Sequence, residues 1–525
     1  MTAPLAFSLG EALPLSAARH PDKACFLFPD GTEQSFAVTN SRVNRLVSAL
    51  EAQGIGRGDR VAVLALDSHR YVEIVLACLK SGVVYLPLNY RLMRPEVDVF
   101  LERGQTVALF YDARYADLLA GVSDRHPSLR LTIELETEFD ALLETGLDRE
   151  PPVVCRDTDL LGLAFTSGTT GTPKGVLQSQ GMMKAIIEHG MITNRPRSDD
   201  IRYVAAPAFH VTGIAGLLGG VATGFTSLLL PQFDAATVLG FMTEDRVTGA
   251  FLVPTMISTL LQQPGVADHA YDRLRLIYYG ASPMSPTLLR RAMDVFDCDF
   301  LQLFGAGTEA GLQAFLTPEE HRLALAGRPE LLGSIGRPGY GVALRLLDDE
   351  MQDVADGEVG EIATRSDMMM DGYLDMPEET ERVFAGGWFR AGDMAYRDKD
   401  GYLYLHGRKK DMIIRGGENI YPVEIETVLA EHPAVVQCAV VGVPHEHWGE
   451  IVRAFVSAPG WGGTDDELAA ELVELCRDRL ARYKVPAEVV RRDELPMNAS
   501  GTILKRELRR GDTRRPDSPD RRSGP

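Results

Sequence analysis

The sequence predicts an α/β protein, with a large N-terminal domain of layered α/β sheets, a β-rich subdomain, and a small C-terminal α/β domain. Three observations carry this reading. Short apolar runs alternate with amphipathic stretches through most of the 525 residues, the pattern of helices packed on mainly parallel sheets. Near residue 340 the texture changes to shorter runs separated by turns. Beyond Gly407-Arg408 a compact helix-and-strand module takes over. A single core rarely grows past roughly 250–300 residues, so this length calls for at least two.

Taken in order, residues 60–66 read as a strand, 71–81 as a helix, 83–88 and 107–111 as strands, and 160–165 as a buried strand. Residues 342–347, 360–364 and 402–405 read as short strands. Asp356-Gly357 and Asp400-Gly401 stand before strand-like runs and suggest hairpins. In the last module 423–431 reads as a helix, 435–443 as a strand, 465–482 as a helix and 487–491 as a strand. The boundary falls at 408–411, giving domains 1–408 and 409–512. The charged, proline-rich tail 513–525 is expected to be disordered. No internal repeat is visible.

Composition narrows the function. Hydrophobic residues at 45% and charged residues at 24% suit an ordinary soluble enzyme. A net charge of −20 argues against nucleic acid or an anionic membrane as the main partner. Six cysteines without C-x-x-C spacing read as reduced thiols of a cytoplasmic protein, neither a disulfide frame nor a zinc site. The N-terminus lacks the basic-then-apolar order of a secretory signal. The nearest thing to a membrane span, residues 213–231, is broken by five glycines.

The chemistry concentrates first in Thr166-Ser167-Gly168-Thr169-Thr170-Gly171-Thr172-Pro173-Lys174-Gly175. Glycines let backbone approach an anion, while hydroxyls and a lysine supply donors for phosphate oxygens. No Gly-Lys-Ser/Thr closes the run, so it is not a Walker A loop. It resembles the phosphate loop of the acyl-adenylate-forming superfamily, which contains acyl-CoA synthetases, luciferases and peptide-synthetase adenylation domains. The resemblance extends from about Phe36 to Leu508, with the motifs in the expected order.

By that resemblance, ATP or an acyl-AMP, CoA and Mg²⁺ are the cofactors, and a carboxylic acid is the acyl substrate. Thr166, Ser167, Gly168, Thr169, Thr170, Gly171 and Lys174 would hold phosphates. His210, within Pro207-Ala208-Phe209-His210-Val211-Thr212-Gly213, would orient the acid near the α-phosphate. Gly280-Ala281-Ser282-Pro283 resembles the loop against the adenine ring, Thr308 would bind the α-phosphate, and Glu309 would bind Mg²⁺. Here the chain departs from the usual aromatic-Gly-x-Thr-Glu, since Phe304-Gly305-Ala306-Gly307-Thr308-Glu309 is one residue longer. Either the loop bulges or Gly305 takes the place of the aromatic, which leaves Phe304 open as the stacking residue.

Asp393 in Trp388-Phe389-Arg390-Ala391-Gly392-Asp393 would grip the ribose hydroxyls together with Arg408. Lys410 occupies the hinge about which the mobile small domain would rotate. Gly416 and Gly417 would line the pantetheine tunnel, and Trp448, Tyr483 and Lys484 would meet CoA. The last motif, Leu495-Pro496-Met497-Asn498-Ala499-Ser500-Gly501-Thr502-Ile503-Leu504-Lys505-Arg506, carries Thr502 where the family has its catalytic lysine. Three residues of extended chain displace a side chain by ~10 Å, so Lys505 is no natural substitute. A basic group reaching in from elsewhere stays open.

That lysine serves adenylation, where charge builds on phosphorus, and one such donor contributes ~10²–10³ in rate. The expectation is a CoA ligase that makes thioesters well but adenylates poorly, with a separate adenylating enzyme as a possible partner. A fully ATP-driven acyl-CoA synthetase and an acyl-adenylate-binding pseudoenzyme are the alternatives. The small residues after His210 and the apolar run 251–257 suit a hydrophobic acid, though helix-packing glycines would look the same.

Overall fold

The computed structural model describes residues 7–152, 155–166, 173–244, 246–282, 284–497 and 503–510. The chain divides into two compact units. The first comprises 1–347, 362–391 and 400–403; the second comprises 348–361, 392–399 and 404–525.

Among the described residues two sheets lie wholly within the first unit. Among the described residues one has seven strands, in the order Gly372–Tyr373, Lys174–Ser179, Leu160–Thr166, Val84–Pro87, Arg60–Leu64, Thr106–Tyr111, Leu131–Glu134. Its last five strands run parallel, and Lys174–Ser179 returns antiparallel to Leu160–Thr166. The other has nine strands, parallel from Asp299–Gly307 through Leu276–Gly280, Gly249–Leu252, Ile201–Val204 and Thr226–Leu228 to Ala24–Leu27. Several of these strands, such as Arg60–Leu64, Val84–Pro87 and Gly249–Leu252, are short and almost wholly buried because both faces of the sheets are covered.

Local chemistry sets the helix ends. His69–Ser81 starts where Ser68 Oγ accepts the Tyr71 N–H and stops at Gly82, whose φ of +75° ends the helix in the left-handed region. It is buried almost all round, and its Glu73 carboxylate, shut from solvent, is held by Arg42 at 2.7 Å and Gln34 at 2.8 Å. Gly357 and Gly401, in the two Asp-Gly turns, have φ of +88° and +86°.

The second unit has a sheet in which Glu418–Ile420 pairs with Ile413–Arg415, then Gly449–Ser457, then Gln437–His445. Glu488–Arg491 adds in parallel to Gly449–Ser457. Helices Pro422–Leu429 and Asp465–Arg479 cover it around a core of Ile413, Ile425, Leu429, Val440, Val452, Leu468 and Leu472. The predicted helix 465–482 ends earlier, at Arg479, and a separate 3-10 turn, Arg482–Lys484, follows. All six cysteines are free thiols. Among the described residues no helix is long and apolar enough to cross a membrane.

Candidate active site

The phosphate-loop motif joins two antiparallel strands. Thr166 ends one and sits opposite Lys174, which begins the next. Ser167, Gly168, Thr169, Thr170, Gly171 and Thr172 lie outside the described residues. The base of the loop is clamped by helix Arg94–Arg103, where Phe100 stacks on Phe165 at 4.5 Å and the Arg103 guanidinium donates to the Pro173 carbonyl. Lys174 pairs with Glu379 at 2.7 Å and lies 4.9 Å from the centre of the Tyr373 ring. Burial first, and then the charges of Glu309 and Glu379, push the Tyr373 phenol well above its usual range, which places Glu309 in the same cluster.

The register of the segment 304–309 shifts twice. Phe304 pairs with Ala314, Gly305 with Leu312 and Gly307 with Gly311, so Gln313 on the partner strand and then Ala306 stand unopposed, two bulges that offset one another. Gly305 keeps its strand position because a Cβ there would lie 2.0 Å from the Gly311 carbonyl oxygen. Phe304 opposes Ala314 and is half-buried. Beyond the bulge the Thr308 carbonyl accepts from Gln178 Nε2 at 3.0 Å, and the Glu309 carbonyl accepts the Met370 N–H at 2.8 Å. The loop carrying Thr308 and Glu309 is thus fastened to the strand that carries Lys174.

His210 is the N-cap of helix Val211–Thr223. Its Nδ1 accepts the Thr212 N–H at 3.5 Å, which leaves Nε2 as the protonated donor of a neutral ring. Burial holds its pKa below the usual histidine range. A Cβ at Gly307 would come within 3.9 Å of His210 Cε1, so the bulged loop meets the histidine loop. Of the helix glycines, Gly213, Gly216 and Gly220 are close-packed, whereas Gly219 faces open space. A Cβ at Gly216 would lie 2.7 Å from Val204, and one at Gly220 2.7 Å from Ser227 Oγ.

In Gly280-Ala281-Ser282-Pro283, Gly280 pairs with Leu303 so closely that a Cβ would lie 2.3 Å from its carbonyl oxygen. Ala281 follows with φ of +67°, a left-handed conformation that costs a non-glycine residue of order 1 kcal/mol and is stored where backbone must meet a ligand. Ser282 is half-buried, and Pro283 lies outside the described residues.

In the second unit Asp393 and Arg408 meet, with Nε 2.9 Å from Oδ1. Lys410 is exposed within the turn Lys409–Asp411. Gly416 and Gly417, with φ of +60° and +91°, form the two-residue turn between Ile413–Arg415 and Glu418–Ile420. The Gly416 N–H donates to the Trp448 carbonyl at 2.8 Å, and a Cβ at Gly416 would lie 2.9 Å from the indole. Arg415 lies over Trp448 at 5.8 Å and donates to the Tyr483 carbonyl at 2.7 Å. Gly416, Gly417, Trp448 and Tyr483 therefore gather around one arginine. Lys484 is held instead by Glu424, whose other oxygen lies 2.9 Å from His406 Nε2. Thr502 lies outside the described residues. Lys505, three residues on, is ion-paired with Glu426 at 2.7 Å.

Residues 13–374 match the AMP-binding enzyme family, and 424–502 match the AMP-binding enzyme C-terminal domain. The chain belongs to the acyl-adenylate-forming superfamily. It is an enzyme of the acid–thiol ligase class. Among its relatives, a fatty acid–[acyl-carrier-protein] ligase of Streptomyces coeruleorubidus is 34% identical, over 94% of each chain. A feruloyl-CoA synthase of an Amycolatopsis species is 36% identical, over 95% of this chain and 98% of that one. Among solved structures, the anthranilate CoA ligase AuaEII in complex with anthranoyl-AMP superposes with a TM-score of 0.89. It is 26% identical, over 97% of this chain and 98% of that one.

Sequence reasoning on this superfamily member missed Glu379, Tyr373, Gln178 and Arg415. Arg415 was legible as the residue beside Gly416; the others act through contacts between strands distant in sequence. Among the described residues no cluster of three or more His, Cys, Asp or Glu side chains could hold a metal by itself. Glu309 fits a magnesium ion whose other oxygens come from substrate phosphates and water.

Proposed function

We propose that this enzyme joins a hydrophobic carboxylic acid to CoA through its acyl-adenylate, and that it is competent in thioester formation but slow in adenylation. The observation that carries this reading is Thr502 at the lysine position, with Lys505 committed to Glu426. Adenylation places negative charge on a five-coordinate phosphorus, where a fixed cation counts most; losing it costs ~10²–10³ in rate. Attack of the CoA thiolate on the activated carbonyl needs no such cation.

The phosphates of ATP or acyl-AMP fall to the 166–174 hairpin, with Lys174 released from Glu379 to meet them. Thr308 serves the α-phosphate, Glu309 the Mg²⁺ ion, and Asp393 with Arg408 the ribose. His210, neutral and with Nε2–H as donor, orients the acid. Gly416 and Gly417 leave room for pantetheine, and Trp448, Tyr483 and Lys484 take the rest of CoA. Residues 408–411 are the hinge, with domains 1–408 and 409–512 on either side. The fatty-acid and feruloyl specificities in the relatives' names support a hydrophobic acyl group. A separate adenylating enzyme would supply the acyl-adenylate.

The test compares the half-reactions. With dodecanoic or ferulic acid, ATP and Mg²⁺, pyrophosphate exchange is slow; with the corresponding synthetic acyl-adenylate and CoA, thioester forms rapidly. Exchange as fast as thioester formation would make this an ordinary ATP-driven synthetase. Adenylate binding without any thioester would make it a binding protein.

A further inference from the structure

The turn Pro207-Ala208-Phe209-His210 closes with the His210 N–H on the Pro207 carbonyl at 2.9 Å, and carries the histidine at its end. It connects a strand of the nine-stranded sheet to helix Val211–Thr223. Yet both backbone polar groups of Ala208 are taken by side chains of the seven-stranded sheet. Asp67 Oδ1 accepts the Ala208 N–H at 2.8 Å, and the Tyr85 hydroxyl donates to the Ala208 carbonyl at 3.2 Å. Tyr85 in turn shares a hydrogen bond with the Tyr71 hydroxyl. Ala208 is fully buried, so water offers neither group an alternative. Asp67 is itself held in place, because Asp112 Oδ2 accepts the neighbouring Leu66 N–H at 2.7 Å and the Asp112 N–H donates to Leu64 at 3.1 Å.

We infer that Asp67 is a positioning residue for His210, fixing with Tyr85 the turn that carries the histidine. Burial pushes the Asp67 carboxyl up to about 7, the charge of Asp112 adds to the rise, and the Ala208 N–H opposes it. The other groups facing it are the phenols of Tyr71, Tyr85 and Tyr203. All three are pushed far above their usual range and stay neutral. Arg70 and Arg114 act on Asp112, not on Asp67. A carboxyl exposed by opening of the turn ionises in the ordinary carboxylate range, so the closed turn binds the proton more tightly than the open one, and ionisation as pH rises through neutrality favours opening.

The functional meaning rests on His210 orienting the acid, but the primary test does not. Native hydrogen exchange over residues 205–212, corrected for intrinsic rates, should show protection falling about tenfold from pH 6 to pH 8. Asp67→Asn keeps an acceptor oxygen and should keep the protection of the pH 6 enzyme without the fall. Asp67→Leu should lose about tenfold at pH 6. A pH fall that persists in Asp67→Asn, or full protection in Asp67→Leu, overturns the inference. If Asp67→Leu does not fold, Tyr85→Phe takes its place, and unchanged protection there counts equally against it. Thioester formation from dodecanoyl-adenylate and CoA gives the second readout. Its KM for the adenylate should rise from pH 6 to pH 8 in the wild type and stay flat in Asp67→Asn. Altered exchange with an unaltered KM profile would refute positioning of His210, whereas no turnover at all would refute the proposed reaction and leave the exchange result to decide.

Discussion

The Lys505 ammonium lies 2.7 Å from Glu426 Oε1, the same oxygen that accepts the Val440 N–H at 2.7 Å. Both side chains are largely buried, so the pair ties the last described helix, Lys505–Arg510, to helix Pro422–Leu429 and the sheet beneath it. A cation so placed is part of the small unit's frame.

Lys505→Met should therefore lower stability by about 1–2 kcal/mol, read from the denaturation midpoint, and leave pyrophosphate exchange unchanged. Thr502→Lys should raise exchange by on the order of 10²-fold. Collapse of exchange in Lys505→Met would identify Lys505 as the adenylation cation after all.

Asp393 accepts from Arg408 at 2.9 Å, and the proposed function assigns both residues to the ribose. Asp393→Ala should weaken an acyl-sulfamoyl-adenosine mimic by at least 10²-fold, since hydrogen bonds to a charged acceptor are worth ~1.5–3 kcal/mol each. Titration calorimetry measures it. Unchanged affinity would put the ribose elsewhere.

Gly416 combines a left-handed φ of +60° with an indole 2.9 Å from where its Cβ would stand. Gly416→Ala must distort the turn or displace Trp448. The KM for CoA should rise about tenfold or more in thioester assays that start from synthetic acyl-adenylate, with adenylate affinity preserved. Equal losses in both would remove the assignment of this turn to pantetheine.

His321 is fully buried. Its Nδ1–H donates to the Thr317 carbonyl at 2.8 Å, and its Nε2 accepts from the Tyr279 hydroxyl at 2.9 Å. Burial lowers its pKa to about 4, so the folded protein holds it neutral while the unfolded chain protonates it near 6.5. The stability it contributes is full above pH 6.5 and is lost as pH falls from 6.5 towards 4, on the order of 3 kcal/mol in all. His321→Gln can keep both hydrogen bonds without titrating. The difference between its stability profile and that of the wild type should have a slope of one proton across this window, and parallel profiles would contradict the assignment.

Parts of this enzyme were legible in one dimension because they sit in contiguous turns. The Gly416-Gly417 turn and the helix started by His210 each obey rules that operate over a few residues, such as glycine for positive φ or a polar cap at a helix start. Asp393 and Arg408 were legible as two separate motifs, and folding paired them. The extra residue at 304–309 was countable, but the offsetting bulges at Gln313 and Ala306 were not, since they arise from how Gly305 pairs with Leu312 on the next strand.

By itself the sequence determined the alternating α/β texture, the order of the motifs and the threonine at position 502, all set by local periodicity and residue identity. Tertiary structure decided which side chains share a site. Glu379 meets Lys174 across 205 residues, Asp67 reaches Ala208 across 141, and Arg415 joins Trp448 to Tyr483. Those choices depend on strand order and register, because burying apolar faces fixes which carboxyl ends of strands lie side by side. A buried polar group then takes whatever partner the packing brings within hydrogen-bond reach.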